Sequence, residues 1–497
     1  MKRVSDRFTF HLTGDVKCVE ILYNAIFHQN KERTHYTMTN TLSNSMTGII
    51  PERNISFNGG DLSSDTGAML LLDFLFFNKL LMDYSDLPYS DERKTHLDHN
   101  SNFSLLTQQV VKYLLGYNTQ ADQDVLKQDP LISLYLKDIS SQSSISRLYQ
   151  RISEETNNGF WRSHMNQSCE FIHKNQEDIL LDADSTKTDT YGDQEESKWI
   201  SHYKQKGYHP LVVNEYATKI LMAAFLRPGN TYSSDESEAV MNEILKRIPD
   251  QTPAGKTRNI MFRGDAAFYI SILMDLFEDR SNPVRYAIRA KGTDKLEEAC
   301  INAYYESEHK DDQNYTYSRP FYGKISYQMS GSDKKRIVCF KIFFTEDKKD
   351  ENKDEQIQLL LIPQVFAVIT NFEDMTPEQV ISFYCQRGNS ENYTKDLKSD
   401  FFANTLSHKS FEANTFEFFL KCLAYNLFRF FQHRVMEGSD QNMTACSFRK
   451  KYQKVASRLS YHARSYHLKI ASSFRYPKKF MRYLRKARTV RWIPEPT

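Results

Sequence analysis

Hydrophobic residues along this chain recur first at helical spacing and later in short runs bounded by polar residues. Between positions 61 and 152, apolar residues recur every three or four positions between polar turns, which predicts several short helices. From position 179 the pattern becomes that of buried strands, in the order βββαβαβ up to position 292. Positions 300 to 372 predict three further strands, separated by charged linkers. A long aromatic-rich helix is predicted at positions 410 to 435.

One stretch of the helical region has the composition of a DNA-binding motif. The sequence SSQSSISRLYQRIS combines a polar turn with a short helix, and it predicts that Arg147 and Arg151 are exposed. Short helices joined by a Ser-rich turn can form a helix-turn-helix reader of DNA, and a plain helical bundle is the alternative. We favour the reader and predict a helical DNA-binding domain at residues 55–160.

The net charge of the 497-residue chain is only +2, but the charge is distributed unevenly. Residues 447–492 contain fifteen Lys or Arg and no Asp or Glu, interleaved with Tyr, Phe and His. Such a segment can bind phosphates through its charge and stack its aromatic rings on bases. A solvated, charged helix is the alternative, and we favour contact with DNA because no acid interrupts the segment.

The cysteines and the apolar runs exclude several classes of protein. The seven cysteines are far apart, odd in number and without a C-x2-C pair, so a zinc ribbon or a secreted disulfide framework is not expected. A reducing bacterial cytoplasm fits this use of cysteine better. The longest apolar stretch, Ala68–Leu81, is interrupted by polar residues and is shorter than a membrane span.

Four residues downstream of the strands have an improbable spacing, Y-x2-R-x3-E-x6-K within YCQRGNSENYTKDLK. On a single helix they would share one face, because their spacing is i, i+3, i+7 and i+14. A face of one carboxylate, two cations and a phenol is typical of a site where a metal ion lies beside a phosphate. The four residues are Tyr384, Arg387, Glu391 and Lys398.

Metal-dependent cleavage of a phosphodiester needs carboxylates that converge from different elements. Asp265 follows the fourth predicted strand, and Glu391 lies on the predicted helix. The first strand offers Asp182 and Asp184, whose side chains point to the same side because strand side chains alternate. We favour Asp184, which stands where the apolar run stops, and keep Asp182 as the alternative first acid. Together the acids form an Asp-Asp-Glu triad in the element order of the ribonuclease-H fold.

The chain resembles the DDE transposases of the insertion sequence 4 type, which carry a Y-R-E-K helix, and more closely the insertion sequence 1380 family. The resemblance rests on LLDADSTKTDTYGDQE, GYHPLVVN, LRPGN, RGDAAF and YCQRGNSENYTKDLKSDFFANTLSHKSFEAN, and it covers about residues 55–475. It implies a catalytic, metal-binding triad and three contacts to the terminal phosphates of the cleaved DNA strand. The triad is Asp184, Asp265 and Glu391, and the DNA contacts are Tyr384, Arg387 and Lys398.

These predictions combine into an α/β fold class with a ribonuclease-H-like catalytic core. A β-rich insertion interrupts the core, a helical N-terminal domain precedes it and a basic helical tail follows it. The predicted parts are a poorly structured extension at 1–54, the helical DNA-binding domain at 55–160, core segments at 175–298 and 361–435, the insertion at 299–360 and the basic region at 436–497.

The expected function is cut-and-paste DNA transposition. The enzyme would bind the terminal inverted repeats of its own element as a homodimer and cut the double-stranded DNA at the element ends with Mg²⁺ or Mn²⁺. It would then join the freed 3′ ends to target DNA. A transposase-derived DNA-binding protein that no longer cuts is a second hypothesis. A third is a ribonuclease-H-like nuclease without strand transfer, against which the Y-R-E-K helix argues.

Overall fold

The computed structural model describes residues 54–93, 101–309, 314–346 and 361–494. Its contacts divide the chain into two units, of which the first ends at Gly59 and the second comprises residues 60–497. Of the first unit only residues 54–59 are described, so nearly all of the predicted extension at 1–54 lies outside the described residues. All the helices and strands named below belong to the second unit.

Several α-helices begin at residues whose side chains cap the free amides of the first turn. The Ser101 hydroxyl accepts a hydrogen bond from the Ser104 amide, and the Asp129 carboxylate accepts two amide hydrogen bonds. Ser153 forms a reciprocal capping box with Thr156. In chain order the α-helices are α1 (Ala68–Phe77), α2 (Asn102–Leu114), α3 (Asp122–Gln128), α4 (Pro130–Leu136), α5 (Gln142–Tyr149), α6 (Glu154–Asn175), α7 (Ser237–Arg247), α8 (Ser271–Glu278), α9 (Asp294–Tyr305), α10 (Pro377–Cys385), α11 (Ser390–Asp400), α12 (Phe411–Val435), α13 (Ala445–Phe448) and α14 (Pro477–Ala487).

Helix α5 carries Arg147 on its exposed side, as predicted, but Arg151 is not exposed there. The Arg151 guanidinium donates a hydrogen bond to the Asn102 side-chain oxygen and lies 3.6 Å from the Asp91 carboxylate, with its side chain only 11% exposed. The prediction that Arg151 is exposed is therefore wrong, because this residue fastens the end of α5 to the start of α2.

The described strands belong to three sheets, the largest of which has eight strands. In chain order the strands are β1 (Leu62–Ser63), β2 (Ile179–Ser185), β3 (Thr188–Asp189), β4 (Lys198–Ile200), β5 (Gln205–Tyr208), β6 (Leu211–Glu215), β7 (Leu221–Phe225), β8 (Ile260–Gly264), β9 (Arg285–Arg289), β10 (Phe321–Gln328), β11 (Lys335–Glu346), β12 (Leu361–Thr370), β13 (Ser457–His462) and β14 (Ser465–Ile470). The large sheet has the order β10-β11-β12-β9-β8-β2-β6-β7. A large mixed sheet with helices confirms the predicted α/β class.

The pairing of the central strands brings distant residues together. β2 pairs antiparallel with β6 and β6 with β7, whereas β8 runs parallel to β2 and β9 runs parallel to β8. Asp182 on β2 lies opposite Arg263 on β8, 81 residues away in sequence. Continuing this register by two residues places Asp184 beside Asp265, where the two strands end. The parallel pairing thus assembles two acids at one edge of the sheet.

Strands β10, β11 and β12 extend the large sheet beyond β9, in the region where a β-rich insertion is predicted at 299–360. β12 pairs antiparallel with the end of β9, and β11 and β10 follow in long antiparallel ladders. Helix α9 packs against β10. These strands therefore continue the main sheet, and residues 310–313 and 347–360 lie outside the described part of the chain.

Helix α12 is the predicted aromatic-rich helix, and it runs through the core. Nearly all of its 25 residues are buried, and it packs against α2, α6 and β7. The rings of Phe416 and Phe419 each lie 5.6 Å, centroid to centroid, from the ring of Phe160 on α6. A helix that is apolar on most sides is expected in such a position. No described helix is both long enough and apolar enough to cross a membrane.

A small sheet of β3, β5 and β4, which the sequence analysis did not predict, lies between β2 and β6 in the chain. Two glycines allow backbone segments to approach closely there. A Cβ atom on Gly207 would lie 2.6 Å from the Thr188 carbonyl oxygen. One on Gly229 would lie 2.3 Å from the carbonyl oxygens of both Gly207 and Lys198. This close approach gives a physical reason for the glycines of GYHPL and LRPGN.

Replacing Gly229 with alanine should lower the free energy of unfolding by about 1–3 kcal/mol, because the added methyl group overlaps two backbone carbonyl oxygens. Urea unfolding of the variant and the wild type measures the change. Gly388→Ala is the matched control, since a Cβ atom there meets no atom within 4 Å, and it should not lower stability. Equal stability of Gly229→Ala and the wild type would contradict the close packing.

The basic C-terminal region is not purely helical, and the predicted helical tail is wrong in this respect. β13 and β14 form a hairpin that pairs with β1, and helix α14 follows it. Several cations of the region form ion pairs with acids: Lys451 and Lys479 with Asp440, and Lys486 with Glu437. Both acids belong to the same region, so these ion pairs neutralise part of its positive charge internally, and only the remainder is available to a partner.

Candidate active site

Three carboxylates from three elements line one cleft of about 890 Å³. Asp184 lies at the end of β2 and accepts a hydrogen bond from the Ser185 amide, 3.0 Å away. Asp265 follows β8 and caps a short 3-10 turn by accepting a hydrogen bond from the Ala267 amide, at 2.8 Å. Glu391 lies in the first turn of α11. The cleft therefore contains all three members of the predicted triad.

The Arg387 guanidinium lies between the two aspartates. One of its terminal nitrogens is 4.0 Å from Oδ1 of Asp184, and the other is 3.7 Å from Oδ2 of Asp265. Burial disfavours the charged form of Arg387, but Asp184, Tyr384 and Asp265 together outweigh burial and hold the pKa of the guanidinium above its usual value. Arg387 thus neutralises a pair of acids that would otherwise repel each other.

Asp184 has a strongly perturbed acidity. Burial raises the pKa of its carboxyl group to about 6; Arg387 opposes the rise, and the charges of Asp265 and Glu391 add to it. Among the described residues, however, no three Asp, Glu, His or Cys side chains are close enough together to hold one metal ion. Carboxylate oxygens are the ligands that Mg²⁺ and Mn²⁺ prefer, so the three donors fit a divalent cation in chemical kind.

Asp182, the alternative first acid, does not line the cleft. Its two carboxylate oxygens accept hydrogen bonds from Arg263, at 2.7 and 2.8 Å, and both side chains are fully buried. Arg263 also donates to the Phe383 carbonyl oxygen on α10, at 2.8 Å. Both oxygens of Asp182 are therefore engaged in a buried pair that holds α10 against the sheet.

The Y-R-E-K residues do not lie on one continuous helix, and that prediction is wrong. Helix α10 ends at Cys385, a 3-10 turn spans Gln386–Asn389, and α11 begins at Ser390. Gly388 stands in this turn, beside Asn and Ser. These residue types favour a break, because Gly loses more backbone entropy in a helix and Asn and Ser form competing local hydrogen bonds.

Of the four Y-R-E-K residues, Arg387, Glu391 and Lys398 line the cleft, and Tyr384 packs behind it. The Tyr384 ring lies 5.8 Å, centroid to centroid, from the ring of Phe366, and its hydroxyl interacts with the Arg387 charge. Burial raises the pKa of Tyr384, while the Arg387 charge opposes the rise. In the structure Tyr384 therefore supports Arg387 from behind.

The cleft also contains three cations that the sequence analysis missed: Arg289, Lys291 and Lys395. Arg289 ends β9 and Lys291 follows it, so both come from the carboxyl end of a strand parallel to β8. Because parallel strands end at the same edge of a sheet, their positions in the sequence could have revealed them. Together with Arg387 and Lys398, five cations surround the three acids.

Another part of the lining comes from the connection between β4 and β5, from His209 after β5 and from the loop after β7. Arg227 of LRPGN is buried and donates hydrogen bonds to the His209 and Asp235 carbonyl oxygens and to the Ser185 hydroxyl. His209 in turn is hydrogen bonded through Nδ1 to the Thr231 carbonyl oxygen, 2.9 Å away. These bonds tie the end of β2 to the loop, and they give Arg227 and His209 structural roles at the rim of the cleft.

Comparison with known proteins identifies the family. Residues 51–492 match the family model described as "Transposase DDE domain group 1". No curated protein matches the chain. Among solved structures, the chain is similar to "Cryo-EM structure of piggyBac transposase synaptic complex with hairpin DNA", at 10% identity and a TM-score of 0.45, over 86% of this chain and 85% of that one. Because the family model spans most of its length, the chain belongs to the group 1 DDE transposases and is a transposase enzyme.

Proposed function

We propose that this transposase binds the terminal inverted repeats of its own mobile element, cuts the double-stranded DNA at the element ends and joins the freed 3′ ends to target DNA. The observation that carries the proposal is the placement of Asp184 and Asp265 at neighbouring strand ends, inside a cleft lined by five cations. Such a cleft combines ligands for divalent cations with side chains that bind the phosphates of a DNA strand.

The order of the central strands supports a ribonuclease-H-like core. If the strands β2, β6, β7, β8 and β9 are numbered 1 to 5 in chain order, their order across the large sheet is 3-2-1-4-5. The second and third are antiparallel to their neighbours, and the fourth and fifth run parallel to the first. With this order and the GYHPL and LRPGN motifs as grounds, we also propose membership of the insertion sequence 1380 family within the group.

Asp184, Asp265 and Glu391 would hold Mg²⁺, or Mn²⁺ in its place. When bound, divalent cations activate the attacking oxygen and stabilise the leaving oxygen of the phosphodiester. The β2–β8 pairing fixes the two aspartates, whereas Glu391 comes from a separate helix. The three do not form one metal-binding cluster among the described residues, so their side chains would have to shift for all three to share cations.

Arg387 and Lys398 would bind the terminal phosphates of the cleaved strand. The Arg387 guanidinium, which lies between Asp184 and Asp265, would form a bidentate contact with phosphate. Lys398 supplies a point charge; burial lowers the pKa of its ammonium group, and Asp184 opposes that shift. Tyr384 acts through Arg387, whose guanidinium it orients.

The proposed partners are the element ends and the target, both double-stranded DNA. An element has two ends, and each cleft holds one set of the three acids, so we propose that a homodimer assembles on the DNA. The helical region at 55–160, with Arg147 exposed on α5, remains the candidate for recognition of the inverted repeat.

Joining of pre-cut ends is the direct test of this function. Purified protein, duplexes that carry the terminal repeats with free 3′-hydroxyls, and a supercoiled plasmid should give plasmids with joined ends when Mg²⁺ or Mn²⁺ is present. Duplexes of scrambled sequence and reactions with EDTA serve as controls and should give no joined product, because both the repeat and the cations are required.

The outcomes of this experiment separate the alternatives. Binding of the repeats without nicking in either metal would indicate a DNA-binding protein that has lost its activity. Nicking without any joined product would indicate a ribonuclease-H-like nuclease. The retained cations around the acids favour joining, because a nuclease that releases its product has no need to hold the cut end.

A further inference from the structure

The hairpin of β13 and β14 has one apolar face and one polar face. Because side chains alternate along a strand, Leu459, Leu468 and Ile470 share one face. Leu459 is buried, and Leu468 and Ile470 pack against the hydrophobic core. This face attaches the hairpin to the protein, and it leaves the other face directed away from the core.

The polar face has donors and acceptors but no acid. Two of its rings, those of His462 and His467, are stacked in parallel with centroids 3.8 Å apart, and the Ser465 hydroxyl is 2.9 Å from Nε2 of His467. The segment 447–492 that contains the hairpin includes no Asp or Glu. The residues of this face are Arg458, Ser460, His462, Ser465, His467 and Lys469.

The cations of the hairpin differ from those elsewhere in the basic region. Within the described part of the chain, no ion pair or side-chain hydrogen bond is found for Arg458, Arg464 or Lys469. Lys451 and Lys486 by contrast are paired with acids of the protein. The hairpin thus presents positive charge that the fold itself does not neutralise.

The tip of the hairpin has a tight two-residue turn that displays a cation. Ala463 and Arg464 have φ angles of 50° and 62°, as a type I′ turn requires. Asn-Gly is the usual sequence in such a turn, because L side chains rarely adopt positive φ. The rings of Tyr461 and Tyr466 flank the turn, 4.8 Å apart and 63% and 57% exposed. Arg464 is therefore held at the tip by a turn that its own residue type disfavours.

We propose that this hairpin is a DNA-contacting element separate from the catalytic cleft, and that it enters the major groove of duplex DNA. The polar face would meet the base edges, and Arg458, Arg464 and Lys469 would bind phosphates beside the groove. The major groove is wide enough for a two-stranded β-ribbon, and a polyanion complements a face without acids. The inference rests on the proposed function, since the duplex is the DNA of the element end.

The test measures the affinity of the full-length protein for repeat duplexes as a function of salt concentration. Arg464→Gly should lower the slope of log K against log salt by about one, and Arg464→Gly with Lys469→Gln by about two, with a roughly tenfold loss of affinity for the double variant. Glycine suits positive φ, so Arg464→Gly should keep or raise the thermal stability of the protein. A loss of affinity in this variant is then not explained by unfolding.

Two variants serve as matched controls. Ala463→Asn improves the same turn and keeps the tip cation, so it should bind like the wild type. Lys246→Gln with Lys295→Gln removes the same charge from exposed positions on α7 and α9, and it should leave the slope nearly unchanged. The inference also predicts that His462→Ala with His467→Ala reduces the preference for repeat over scrambled duplex by about fivefold or more.

Each outcome decides between the inference and the proposed function. If the hairpin variants bind with wild-type affinity and salt slope while the protein still cuts repeats, the inference is wrong and the function stands. An equal loss of affinity in the hairpin variants and in the Lys246/Lys295 variant also overturns the inference, because it shows an effect of net charge alone. If the wild type neither binds nor cuts the repeats, the proposed function fails.

Discussion

Asp184→Asn is expected to cut and join element ends about a thousandfold more slowly than the wild type, while the protein without metal becomes more stable. The loss of rate follows from the loss of a cation ligand, because metal ions supply several kcal/mol to such reactions. The gain in stability follows from the raised pKa of Asp184, since a buried carboxylate next to Asp265 and Glu391 is costly to ionise.

The pH dependence of stability gives the sign of this second effect. The folded protein holds the Asp184 proton up to about pH 6, whereas an unfolded chain releases it near pH 4. The stabilising effect of the proton is therefore complete below about pH 4 and is lost as the pH rises through about 6. Above about pH 6 the ionised carboxylate lowers the free energy of unfolding by about 3 kcal/mol. Asp184→Asn should recover part of this lost stability at pH 8 and little at pH 4.5, as measured by urea unfolding in EDTA.

Glu391→Ala is the matched comparison for Asp184→Asn. Glu391 is exposed, so its replacement should abolish cutting in the same way without a comparable gain in stability. Both variants should bind repeat duplexes as the wild type does, because the other contacts with DNA remain. If either variant cuts at the wild-type rate, that residue is not a ligand of the catalytic cations.

Asp182→Asn should have the opposite effect on stability, with a loss of about 3–5 kcal/mol in the free energy of unfolding. The substitution leaves the Arg263 guanidinium charged and fully buried without its counter-ion, and such a change is among the most destabilising that single residues undergo. Arg263 also holds α10 through the Phe383 carbonyl oxygen, so local order near Tyr384 and Arg387 should decrease. Urea unfolding and hydrogen exchange of α10 measure the two effects.

A double variant distinguishes the lost ion pair from a general intolerance of the site. Asp182→Leu with Arg263→Met removes both charges together, and it should recover much of the stability that Asp182→Asn loses. At temperatures where the Asp182→Asn variant remains folded, that variant should still cut DNA. Normal stability of Asp182→Asn together with complete loss of cutting would instead make Asp182 the first ligand.

The choice between these two acids shows where the sequence alone is insufficient. Asp182 and Asp184 lie two residues apart on one face of β2, so alternation treats them alike. What separates them is Arg263, which pairs with Asp182 only because β8 lies parallel to β2 in a particular register. That register depends on tertiary structure. Arg289 and Lys291 could have been predicted from the sequence, since Arg289 ends the next parallel strand, β9, and Lys291 follows it closely.

The fold was predictable where local patterns are strong. The five central strands and helix α12 follow from apolar runs and their turns. The C-terminal hairpin does not, because its turn is Ala463-Arg464 where Asn-Gly would have indicated one, and it lies in a segment that was predicted as a basic helical tail. The strands from 321 to 370 were recognised as strands, but their membership of the main sheet depends on the pairing of β12 with β9, which no local pattern encodes.

The contact of β1 with the C-terminal hairpin also affects the order of events during synthesis. Lys454 forms an ion pair with Asp65, and the Val455 carbonyl oxygen accepts a hydrogen bond from the Thr66 amide. Each contact joins residues that are 389 positions apart in the chain. A ribosome that adds about 5–20 residues per second needs roughly 20–80 s to make the chain between them. The helical region and the hairpin therefore join only when synthesis is nearly complete, and a chain that stops before Lys454 lacks the hairpin and leaves β1 without its partner strand.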